Sequence, residues 1–310
     1  MRPCLLLFWI LALTGSGCGW LNKLRPVNRT MTRITGPTGW YRVTPLLGVD
    51  LRGNATIPPR YPTAGDEEQP DDDDYDETTP LAERLAARFN RQLSPLIVTD
   101  SVPCPYLASG DSAGPVYIFI HGISGPGPEW WPVIPTLMAN QPSAMFLFRW
   151  NVTQQRALII DSLVTGLNRI TKCHPGITPI VLAHSAGGVV ISFAANRLTV
   201  DSSRSLEIFT VASPLSGAGL HNRAEEEEGE NRFMRDLGST KTGFPAAAAH
   251  VHVTHYRTSY PGDLVMEPKF GQHAPNQPGV GVQGATETDL PKQLTHDGSL
   301  LFVARKMVTK

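Results

Sequence analysis

The segment Ala183-His184-Ser185-Ala186-Gly187-Gly188 is the part of this chain best suited to covalent chemistry. A serine hydroxyl is a weak nucleophile until a base takes its proton and the backbone lifts it clear of its neighbours. The residues two before and two after Ser185 are Ala183 and Gly187, both tiny, as a sharp strand-to-helix turn demands. An apolar run at 179–183 leads into the serine and a glycine-led apolar stretch follows it. The hydroxyl would then stand at a helix N-terminus, where developing negative charge is favoured. This is a variant of the Gly-x-Ser-x-Gly nucleophile elbow with alanine in the first small position. A glycine-rich turn with an incidental serine is the plainer alternative, and the flanking strand and helix patterns weigh against it.

A second constellation lies upstream, where the apolar run 116–120 ends in His121-Gly122-Ile123. Ile120-His121-Gly122-Ile123 and the elbow together resemble the α/β-hydrolase lipases and esterases, across residues 114–310; the Ala-first elbow is most similar to that of small bacterial lipases. The resemblance implies an α/β fold with a mostly parallel sheet and helices on both faces. It also implies a serine carboxylic-ester hydrolase working through an acyl-enzyme, on an ester or lipid-like small molecule, with no cofactor and no metal. Carried over residue by residue, Ser185 is the nucleophile, and the backbone N–H groups of Ile123 and Ala186 form the oxyanion hole. His121 shapes the loop and is not the base.

The family order is serine, acid, histidine. Asp263, in the loop after the strand-like 251–256, resembles the acid, with Glu267, Asp289 and Asp297 as rivals. His296, just before the last helix, matches the base, and His273 is its rival. His184 is locked on the elbow, while His250, His252 and His255 lie in or beside a strand. A neutral imidazole, with a pKa of ~6.5, can take the serine proton and return it to the leaving group. Two departures from the lipase pattern count against long-chain lipid droplets as substrate. Ser213-Pro214-Leu215-Ser216-Gly217 stands where those enzymes carry Pro-His-Gly, and 217–249 is polar where an apolar lid would lie. Thioester or peptide cleavage, or a non-catalytic binding module on the same fold, are the alternatives. Trp130 and Trp131 fit either an acyl pocket or the core of the next helix.

These residues need a frame, and the spacing of apolar residues supplies one. Strands are expected at 116–120, 144–149, 179–183, 206–212 and 250–257, with a further strand-like stretch at 280–282. Helices are expected at 80–93, 129–140, 153–172, 186–197 and from 297 onward. The best of them is 153–172, with Ala157, Ile160, Val164, Leu167 and Ile170 on one stripe. Strands alternating with helices predict a parallel sheet covered on both sides.

The N-terminal part reads differently. Arg2 and the nine-residue apolar run 5–13 form a targeting signal (residues 1–17), too short to span a bilayer. The small residues 14–17 before Cys18 resemble the lipobox of bacterial lipoproteins, which implies acylation of Cys18 and a lipid-anchored protein of the cell envelope. Ordinary cleavage and secretion, or an uncleaved anchor, are the alternatives. Residues 18–78 are expected to form a flexible acidic tether and 79–310 the catalytic domain. Asp72, Asp74, Asp76 and Glu83 fall at calcium-loop spacing, but Glu77 stands where that loop needs glycine. Nine acids in 66–77 and five in 225–230 hold half of the 28 in the chain. The rest is mildly basic without a dense cluster, which argues against nucleic acid as a partner. Cys104 and Cys173 remain free to pair in an oxidising compartment, though spacing alone does not pair them.

Overall fold

The computed structural model describes residues 38–43, 93–96, 114–122, 128–130, 133–151, 154–198, 205–215, 243–258, 282–294 and 298–309. The strands are β1 (Gly39–Val43), β2 (Leu93–Leu96), β3 (Val116–Ile120), β4 (Ala144–Arg149), β5 (Pro179–His184), β6 (Leu206–Val211), β7 (Val251–Arg257) and β8 (Thr286–Asp289). The α-helices are α1 (Val133–Leu137), α2 (Arg156–Cys173), α3 (Ala186–Ala195) and α4 (Gly298–Val308). All eight strands make one sheet in the order β2-β1-β4-β3-β5-β6-β7-β8. β4, β3, β5, β6, β7 and β8 run parallel, and β1 runs antiparallel to both β4 and β2.

Every residue of β3 and β4 is buried, as continuous apolar runs in a sheet covered on both faces should be. Their side chains alternate between two cores. Val116, Ile118, Ile120, Phe146 and Phe148 meet α2 and α3 on one face. Tyr117, Phe119, Met145 and Leu147 meet α1 and α4 on the other. The order places β4 and β5 on opposite sides of β3, so the chain reverses its direction of winding at the ends of β3 and β5. Parallel α/β sheets form their ligand crevice at such a switch point.

Several expectations need correcting. Gly39–Val43 lies inside the stretch read as a solvated tether, yet it forms a strand of the central sheet with Trp40, Tyr41 and Val43 buried. Trp40 donates its indole N–H to the Ser162 carbonyl of α2 at 3.0 Å and packs on Phe148. Leu93, expected to close a helix, opens β2; residues 80–92 lie outside the described residues. The last strand is Thr286–Asp289, later than the 280–282 stretch, because an edge strand of four polar residues has no apolar signal. The helix expected over 129–140 is split into a 3₁₀ turn at Pro128–Trp130, α1, and a second 3₁₀ turn at Met138–Asn140. On α2 the buried stripe is Ile159, Ile160, Leu163, Leu167 and Ile170, while Ala157 is exposed.

Candidate active site

Ser185 stands between the last residue of β5 and the first of α3 with φ 51° and ψ −126°. That conformation is sparsely populated for any residue with a Cβ and persists only where the surroundings enforce it. Here they do. The Ser185 N–H donates to the Val211 carbonyl at the end of β6 (3.0 Å), and the Ser185 carbonyl accepts from Gly188 N–H (3.0 Å). Two neighbours have no room for a side chain. A Cβ on Gly187 would lie 2.6 Å from the backbone oxygens of Ile120 and His121, and one on Gly188 would overlap Ser213. The small residues in the motif are thus the price of seating α3 against β3 and the loop after β6. Ala186, at the first position of α3, has an N–H in the group of first-turn donors that a helix leaves without an internal partner.

The loop after β3 comes to the same place. A Cβ on Gly122 would stand 3.0 Å from Ser185 Cβ and 3.4 Å from His184 Nδ1, so Gly122 lets this backbone lie directly against the nucleophile. His121 is 1% exposed and both ring nitrogens are engaged. Trp150 N–H donates to Nε2 (3.1 Å), which leaves the proton on Nδ1, facing the Gly122 carbonyl (2.6 Å). The Trp150 indole stacks on the imidazole and donates its own N–H to the His121 carbonyl (2.9 Å). Burial pulls the His121 pKa down to about 4, and the nearby Arg149 charge lowers it too. It is a neutral structural histidine with no free nitrogen for a base's work, as its sequence position implied.

Three of the other described histidines have evident structural places. His184 is buried beneath Gly122. His255 is buried in β7 with Nδ1 on Thr210 Oγ1 (2.9 Å), and burial, with Arg257 second, lowers its pKa to about 4. His252 is exposed on β7, away from the core. Asp289, a rival for the acid, is held by Arg257: its Oδ1 accepts from Nε at 2.7 Å and lies 2.6 Å from a terminal guanidinium nitrogen. That pairing keeps its carboxyl below the usual range and ties β8 to β7. Trp130 is fully buried against Phe119 in the core shared with α1 and α4, the core alternative of the two readings.

Asp263, His296, Ile123 and Cys18 lie outside the described residues, as do Trp131, His273, Glu267, Asp297 and the stretch 216–242. Glu129 was not singled out from the sequence, yet its Oε1 accepts the Gly122 N–H at 3.1 Å. Nothing in the pattern of a lone Glu before a tryptophan pair points to it. Among the described residues, no group of three His, Cys, Asp or Glu side chains is arranged to hold a metal. No helix among them is long and apolar enough to cross a membrane.

A mostly parallel sheet clad on both faces, with a strained serine on a strand–helix elbow at its switch point, is the α/β-hydrolase fold. No family model matches the chain, and no curated protein matches it by sequence. Among solved structures, it is similar to the mature form of the Bacillus licheniformis lipase BlEst2, with 16% identity over 66% of this chain and 92% of that one, at a TM-score of 0.45. It is also similar to the Bacillus subtilis carboxylesterase CesB (YbfK), with 15% identity over 65% and 85% of the two chains and a TM-score of 0.37. The bottromycin epimerase BotH is a third, with 13% identity over 63% and 90% and a TM-score of 0.39.

Proposed function

We propose that this protein is a serine hydrolase that cleaves carboxylic esters through an acyl-enzyme. The observation that carries the reading is the enforced backbone of Ser185, with Gly122 standing against its Cβ. A strained serine pressed against a glycine has no packing role that alanine would not fill as well. Its hydroxyl attacks the ester carbonyl, and the oxyanion that forms is held by the Ala186 and Ile123 backbone N–H groups. His296 takes the serine proton and returns it to the leaving alcohol, and Asp263 orients the imidazole. Water then repeats the sequence in reverse and releases the acid. The parallel order supports this division of labour. β7 precedes the Asp263 loop and β8 precedes the His296 loop, and both run parallel to β5, so those loops begin at the edge of the sheet where Ser185 lies.

The same reading places the enzyme outside the cytosol, held to the cell envelope by a lipid on Cys18. The placement outside the cytosol is supported by Cys173, buried at the end of α2 and disulfide-bonded, since disulfides persist in oxidising compartments. Three experiments test the proposal. A fluorophosphonate probe should label the wild type and not Ser185→Ala, and a series of p-nitrophenyl esters, with thioester and amide controls, should show ester cleavage. A folded wild type that resists the probe would refute the enzyme. Cys18→Ala should release the protein from membranes with its activity unchanged.

A further inference from the structure

Glu129 lies in the 3₁₀ turn that follows the His121-Gly122 loop, and its carboxylate takes the Gly122 N–H. Gly122 is therefore gripped at both ends of its backbone unit, its N–H by Glu129 and its carbonyl by His121 Nδ1. A trans peptide holds its C=O and the next N–H in one plane, pointing in opposite directions. Pinning the Gly122 carbonyl thus sets the direction in which the amide assigned to the oxyanion would be offered. A bare carboxylate on the backbone that abuts Ser185 would oppose a developing oxyanion there electrostatically. Arg149, at the C-terminal end of β4 and 4% exposed, supplies the opposing charge. Its guanidinium lies over the Tyr41 ring at 5.2 Å, and both Tyr41 and Glu129 favour its charged form against the burial that pulls it down to about 10.

We propose that Glu129, its charge balanced by buried Arg149, is a positioning residue: it keeps the Gly122 amide out of the oxyanion site and fixes the backbone on which that site is built. The proposal rests on the ester-hydrolase reading and adds to it a charge pair outside the serine, acid and histidine set. The sheet also gains a purpose for β1, which brings Tyr41 under Arg149.

The test uses the full chain with Glu129→Asp, which keeps the charge but is one methylene short, Glu129→Gln, which keeps an acceptor without the charge, and Glu129→Ala. Each is assayed on p-nitrophenyl butyrate beside fluorophosphonate labelling and a melting curve. Glu129→Asp and Glu129→Ala should lower kcat about tenfold or more with KM within about twofold, since small misplacements of this kind act on the transition state. Glu129→Gln should stay within about threefold of wild type, because its carbonyl still accepts the Gly122 N–H. Arg149→Met should lower kcat, and adding Glu129→Gln to it should recover part of the loss by removing the uncompensated charge. If Glu129→Ala does not fold, the Asp and Gln variants decide alone. Wild-type turnover in Glu129→Asp, or equal losses in Asp and Gln, overturns the proposal while a labelled, active wild type leaves the hydrolase standing. A folded wild type that does not label overturns both.

Discussion

The backbone N–H of Trp150 donates to Nε2 of His121 across 3.1 Å, and that contact decides which ring nitrogen carries the proton. With Nδ1–H committed to the Gly122 carbonyl, His121 can be accommodated only as a neutral ring. His255, on Thr210, is buried as a neutral ring as well. Both have pKa values near 4 in the folded protein, against ~6.5 unfolded. Between those values the unfolded chain binds more protons, so stability is full above ~6.5 and falls as the pH drops towards 4. Each histidine should contribute a slope of up to ~1.4 kcal/mol per pH unit in that window. Urea unfolding at pH 7, 5.5 and 4.5 checks this, and His255→Gln should flatten the slope. A stability unchanged across the window would contradict the neutral assignments.

Ser185 should be more costly to the fold than glycine. Its φ of 51° suits a residue without a Cβ, so Ser185→Gly should raise stability by ~1–2 kcal/mol while abolishing turnover. Paired measurements of urea midpoint and hydrolysis on the same preparation test it. A less stable glycine variant would mean the strain is not real.

Gly187→Ala should be severe. The added methyl meets two backbone oxygens at 2.6 Å, neither able to move without shifting β3, and overpacking of that kind costs ~1–3 kcal/mol or more. Loss of activity together with a lowered melting temperature is expected.

Gly166 on α2 gives a test of sign. In a helix interior Gly→Ala normally stabilises by ~0.5–1 kcal/mol. Here a methyl would overlap the Trp40 indole, so Gly166→Ala should destabilise instead. Trp40→Ala should cost ~3–5 kcal/mol, and deleting residues 20–78 should be at least as damaging, since β1 goes with them. Normal stability after that deletion would show β1 to be dispensable.

The base and acid have their own signature in kinetics. His296→Ala and Ser185→Ala should each lose a similar large factor in kcat, and the double variant should be scarcely worse than either. Asp263→Asn should lose somewhat less, and His273→Ala should resemble wild type. Inactivity of His273→Ala beside an active His296→Ala would move the base.

Much of the frame was legible because its signals are local. β3, β4 and β5 are runs of apolar residues that only a two-sided core can bury, and the elbow announces itself through tiny residues where α3 must approach β3. Asp263 and His296 are readings of order along the chain, made by resemblance.

Other features depend on partners distant in sequence. Gly39–Val43 is too short, and sits in too polar a stretch, to look like core; it is buried because β4 offers it an open edge and Gly166 opens a groove for Trp40. Thr286–Asp289 is a strand only because β7 pairs with it and Arg257 holds its carboxylates. Glu129 acquires meaning only when the chain folds its side chain onto Gly122, with Arg149 near enough to answer its charge. Composition and period follow from the residue types alone, and so the sequence by itself determined the parallel sheet and the elbow. Edge pairing, close approach and charge compensation depend on which distant residues share a boundary, and only the tertiary structure decided those.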